Sequence, residues 1–115
     1  NVELFLRAQK TIESLEKGEG IDYTTPAQVD ALLQLATAKY AYVSEQLGQL
    51  EIAQAEYFNL KDEGTTNKVV EMLWKVTPEG RKQVELSRKL KVLAALMSTF
   101  KAKLRRAEME RFNLR

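Results

Sequence analysis

Eleven Lys and Arg side chains crowd the last 35 residues, at positions 81, 82, 88, 89, 91, 101, 103, 105, 106, 111 and 115, against only Glu85, Glu108 and Glu110, for a net charge of +8. No acidic residue lies between Leu86 and Ala107. Cations of one sign in a row are suited to neutralising phosphates. Each phosphate met by a Lys or Arg releases counterions, which gives salt-sensitive affinity without reading bases. At 100° per residue, Arg81, Arg88, Lys91 and Arg106 project broadly opposite the apolar seam of this segment. Lys103 and Arg105 flank that seam, and Lys82, Lys89, Arg111 and Arg115 lie on or beside it. The candidate phosphate contacts are therefore Arg81, Arg88, Lys89, Lys91, Lys101, Lys103, Arg105, Arg106 and Arg111. The competing reading is a solvated outer face, although such faces usually mix both signs. Arg111 stands where the rhythm asks for an apolar residue. It either aims a guanidinium at a groove between assembled subunits or marks a seam that ends near Ala107, and the second reading is the preferred one.

Other chemistry is scarce. The chain has no His and no Cys, which removes the ordinary zinc sites, disulfides and the commonest general base. No phosphate-cradling Gly loop, nucleophile elbow or metal-ligand spacing occurs. The expectation is a non-enzyme with no cofactor and no metal. Glu56, Asp62 and Glu63 could hold a hard cation near a helix end, but surface carboxylates at this density are ordinary. Among the aromatics, Trp74 beside Lys75 is the candidate stacking face for an unpaired base. Its alternative, shared with Tyr40, Tyr42, Tyr57 and Phe58, is a place in the core.

The elements that position these residues read as all-α. Gly and Pro are few, at 5 and 2 of 115 residues, so long helices are not interrupted. A short helix is expected over 1–17, closed by Gly18 and Gly20 and followed by a polar linker to Thr24. Thr25-Pro26-Ala27-Gln28 fits a capping box that opens a long helix over 26–62. Gly64-Thr65-Thr66-Asn67 is a turn, and a short bridging helix spans 67–76. Thr77-Pro78-Glu79 then starts the long basic helix, 78–113.

In that last helix Leu86, Leu90, Leu93, Met97, Phe100, Leu104 and Ala107 alternate spacings of four and three, the mark of a helix lying along another helix. Ala36, Tyr40, Val43, Leu47, Leu50 and Tyr57 keep the same rhythm in the second helix, with Gln54 as its polar interruption. The expected architecture is one domain: an antiparallel hairpin of two long helices with short flanking helices. Residues near Ala36 should approach those near Leu104, and residues near Leu50 those near Leu90. A hairpin this slight buries little surface for its length. From Val92 to Met97 the last helix is apolar almost all round, so self-association is expected, with Val92, Leu93, Leu96, Met97 and Phe100 at the interface.

No run of about 18 apolar residues exists, so no membrane partner is expected. Asn1 is followed by no charged-then-apolar leader, and the expected location is the cytoplasm. Charge divides along the chain, since residues 1–80 carry 7 basic and 13 acidic side chains, a net of −6. Such polarity suits either a polyanion-binding arm or oppositely charged surfaces meeting in an assembly.

The order of elements, with Tyr57-Phe58 near the end of the second helix and a last helix reading LSRKLKVLAALMSTFKAKLRRAEMERFNLR, resembles phage recombination accessory proteins of the UvsY type. It also resembles the small helical proteins encoded beside phage single-strand annealing recombinases. The likeness covers about Gln54 to Leu114 and is one of pattern. It implies a helical, ring-like homo-oligomer without enzymatic activity, located in the cytoplasm of a host cell. Such a protein binds single-stranded DNA and helps load a recombinase in place of a single-strand-binding protein. Carried over by position, Arg88, Lys89, Lys91, Lys101, Lys103, Arg105 and Arg106 would be the DNA contacts. The sequence therefore suggests an accessory protein that binds single-stranded DNA, or RNA, with a recombinase or single-strand-binding protein as a further partner. The alternative is a helical adaptor or inhibitor that binds protein and no nucleic acid.

Overall fold

A computed structural model describes residues 2–18 and 25–113. Most of the expected linker, Gly20 and Arg115 lie outside the described residues. Among those described, the chain forms four α-helices and no strand: α1 (Val2–Glu16), α2 (Pro26–Asn59), α3 (Asn67–Val76) and α4 (Pro78–Asn113). The two long helices pack most closely, as an all-α hairpin. α2 stops three residues short of Asp62. There the amides of Leu60 and Lys61 donate to the carbonyls of Tyr57 and Phe58 in a tightened last turn.

The helix starts follow from their caps. At α2 the Gln28 amide donates to Thr25 Oγ1 (3.3 Å) and the Thr25 amide donates to Gln28 Oε1 (3.2 Å), so two orphan donors are satisfied reciprocally. Thr66 caps α3 by accepting from the Val69 amide at 3.3 Å. Thr77 closes α3 and opens α4 in a single residue, with φ −71° and ψ 156°. Its amide and its hydroxyl both donate to the Trp74 carbonyl, at 3.0 and 2.6 Å, while its oxygens accept from the Gly80 and Arg81 amides. Pro78 favours that extended conformation at the residue before it.

Two compact units are formed. The first contains α1, α2 as far as Ala41, and α4 from Lys91. Its core is built from Ile12 of α1, Val29, Leu32 and Ala36 of α2, and Leu93 and Phe100 of α4. Lys39 pairs with Glu16, tying α2 to the end of α1. The antiparallel run is visible at one end, where Pro26 and Val29 line a hollow with Leu104, Ala107 and Glu110.

The second unit is Tyr42–Leu90. Val43, Val70, Trp74 and Leu86 are buried there. The Trp74 ring lies 5.4 Å from that of Tyr57, tilted by 55°. Its indole N–H donates to Gln83 Oε1 at 2.6 Å, and Gln83 Nε2 donates to Gln54 Oε1 at 2.9 Å. The polar break at Gln54 is thus the end of a three-residue relay from α3 through α4 to α2. In both units the partners sit about one helical turn from the register expected from the sequence.

Two of the five residues expected at a subunit interface are corrected here. Leu93 and Phe100 are both 0% exposed, covered by their own chain, and have no surface left for a second copy. Leu96 and Met97 are half-buried, and Val92 stands at the edge of exposure.

Candidate nucleic-acid interface

Basic side chains reach solvent in each unit. In the first unit α4 presents Lys91, Lys101, Lys103, Arg105, Arg106 and Arg111, all exposed, against the exposed Glu108 and Glu110. The amphipathic rhythm places all of them but Arg111, because each of the others falls outside the positions that Leu93, Phe100 and Leu104 take toward α2, whereas Arg111 continues that rhythm past Ala107. Lys101 and Arg105 lie four residues apart on one flank of the helix, and Lys103 and Arg106 lie three apart on the other. The second flank borders α2. Lys103 and Arg106 line a shallow hollow of about 180 Å³ with Pro26, Val29 and Glu110. Lys101, Arg105, Arg106 and Arg111 have no ion-pair partner among the described residues. Like charges this close raise the local positive potential, which Glu108 and Glu110 offset in part.

The stripe is interrupted. No charged residue occurs between Lys91 and Lys101, a rise of about 15 Å along the helix. Val92, Ala94, Ala95, Ser98 and Thr99 face solvent in that interval. The phosphate-binding candidate in this unit is therefore the cluster from Lys101 to Arg111, with Lys91 set apart from it. Arg111 is exposed, beyond the hollow where α2 begins, and the helix continues past it to Asn113 without fraying.

In the second unit Arg81 and Arg88 are exposed and likewise unpaired among the described residues, whereas Lys89 is half-buried. Lys82 lies 3.8 Å from Glu85. Trp74 is not a stacking platform. It is 3% exposed, its indole N–H is satisfied by Gln83, and its face meets Tyr57. A base could reach it only by opening the unit's core.

Sequence reasoning missed two features. Gln83 carried no signal, because a Gln on a helix is ordinary until its partners are known. The other is α3, whose Val69, Met72, Leu73 and Val76 are exposed by 46–63% although they form an unbroken apolar stripe. Their spacing of three, four and seven was visible in the sequence, but it was equally consistent with a buried face.

No group of acidic side chains that could hold a metal ion occurs among the described residues, and no helix there is long and apolar enough to cross a membrane. No family model matches the chain, and neither a curated protein nor a solved structure matches it.

Proposed function

We propose that this chain is a non-enzymatic accessory protein that binds single-stranded nucleic acid through the end of α4 and associates with copies of itself. The observation that carries the reading is the cluster Lys101, Lys103, Arg105, Arg106 and Arg111, exposed and outnumbering Glu108 and Glu110. Its geometry favours a flexible strand. The basic residues stand on both flanks of one helix, so a stiff duplex could touch only some of them, while a single strand can bend to follow the rest. With the base-stacking role of Trp74 removed, binding rests on phosphates and is indifferent to base sequence. The resemblance to phage recombination accessory proteins narrows the reading to a mediator that acts with a recombinase or a single-strand-binding protein in a host cytoplasm. The uncovered apolar stripe of α3 favours a second reading, a protein-binding adaptor without nucleic acid.

The test is a salt series with a fluorescent oligonucleotide. Log affinity for the parent should fall linearly with log salt concentration. The triple variant Lys101→Ala, Arg105→Ala, Arg106→Ala should bind more weakly and show a salt slope smaller by about 2, at roughly 0.7 per lost phosphate contact. Its folding should be nearly unchanged, since exposed substitutions usually stay within about 0.5 kcal/mol. A folded triple variant that matches the parent at every salt concentration would refute the reading.

A further inference from the structure

We infer that α3 of one chain docks, through its apolar stripe, on the outer acidic face of α2 in a second copy, giving a head-to-tail joint. This develops the self-association in the proposed function and is independent of its nucleic-acid part.

The α3 surface is defined by burial. This ten-residue helix buries Val70 and Trp74 on one side and leaves Val69, Met72, Leu73 and Val76 to solvent on another. Residues at i, i+3, i+4 and i+7 are what an amphipathic helix offers to a partner helix. Lys68 and Lys75 edge this stripe on one flank. Lys68 has no ion-pair partner among the described residues, and Lys75 only a 3.8 Å contact with exposed Glu71. Beside the stripe, Tyr57, Leu60, Val70 and Leu73 line an open hollow of about 270 Å³. Leu60 is 83% exposed.

The complementary surface belongs to the same unit. Between Tyr40 and Leu60 the only charged residues are Glu45, Glu51 and Glu56, all exposed and all without an ion-pair partner among the described residues. Ile52, 63% exposed, points directly away from the side of α2 that buries Val43. Glu45 and Glu56 flank it on one side, and the small Ala55 flanks it on the other, where a second helix can approach closely. Apolar meets apolar, and a basic edge meets an acidic one. An antiparallel α3–α3 joint would instead bring Lys68 and Lys75 against their own copies, which is repulsive.

Because the two surfaces are different patches of one chain, the joint is heterologous.

The experiment measures mass by light scattering, without nucleic acid, over a concentration series. The parent should exceed 13.2 kDa and grow with concentration. Met72→Glu and Ile52→Glu should each fall to monomer mass while keeping the parent's helical circular dichroism, because both side chains are exposed in the single chain. Mixed in equal amounts, the two variants should form a 1:1 dimer and nothing larger, since one intact α3 and one intact α2 face remain between them. A parent that is monomeric throughout would overturn the proposal, and so would an Ile52→Glu variant with parental mass or a mixture that stays monomeric. A monomeric parent that binds anionic vesicles, and loses that binding with Met72→Glu, would assign the stripe to a lipid surface instead. None of these outcomes touches the oligonucleotide salt series, so the two proposals fail separately.

Discussion

Phe100→Ala should cost about 3–5 kcal/mol of folding stability, the range for emptying a fully buried aromatic site. Phe100 is 0% exposed in the single chain, among the largest fully buried side chains together with Leu32 and Leu93. Folded domains are stable by only about 5–15 kcal/mol in total, so this one change removes a large share. The loss should appear in urea unfolding at low micromolar protein and stay the same on tenfold dilution. Val92→Ala, at a position 37% exposed, should cost far less. The contrast separates a buried core residue from one at the edge of exposure. If Phe100 mattered mainly between subunits, its cost would vanish under dilution to monomer, and parental stability of the variant at the lowest concentration would exclude the packing described above.

That contrast also locates where the sequence was ambiguous. The seam through Leu86, Leu93 and Phe100 was legible because a spacing of seven returns side chains to one face of a helix. The pattern says that a helix is met, but not whether the partner belongs to the same chain. Leu93 and Phe100 were expected between subunits and lie within one. The helix starts were legible for a different reason. Thr25 and Thr77 act over three or four residues, so their local sequence suffices. For Trp74 the sequence allows both a stacking face and a place in the core, because α3 carries apolar residues on two sides, and short-range periodicity cannot rank them. Burial chose Val70 and Trp74, where the indole N–H finds Gln83, and left Val69, Met72, Leu73 and Val76 outside. The exposure of Lys101, Lys103, Arg105 and Arg106 followed from their distance from the seam. The ligand they meet is a matter of chemistry beyond the fold.

The junction of α3 and α4 was half legible, and its hidden half carries the second large effect. Gly80→Ala should destabilise the chain, although Ala is the better helix former by about 1 kcal/mol. Gly80 is buried in the first turn of α4, and a Cβ there would stand 1.9 Å from the Trp74 carbonyl oxygen and 2.7 Å from its carbon. Both are backbone atoms, and the same carbonyl already accepts from the amide and hydroxyl of Thr77. No rotamer change relieves the clash, so α3 must move away from α4, straining the Thr77 caps and the bond from Trp74 to Gln83. Forced backbone shifts of this kind cost about 3 kcal/mol, which leaves a net loss of about 2 kcal/mol after the gain in helix propensity. For a chain of 115 residues that lowers the thermal midpoint by about 8 °C. Gly48→Ala is the matched control. Gly48 is also helical, but its Cβ would meet nothing within 4 Å, so the propensity gain stands alone and the midpoint should rise by about 4 °C. Thermal unfolding followed by circular dichroism decides the matter, and a Gly80→Ala variant melting at or above the parent would mean that α3 and α4 do not meet at this contact.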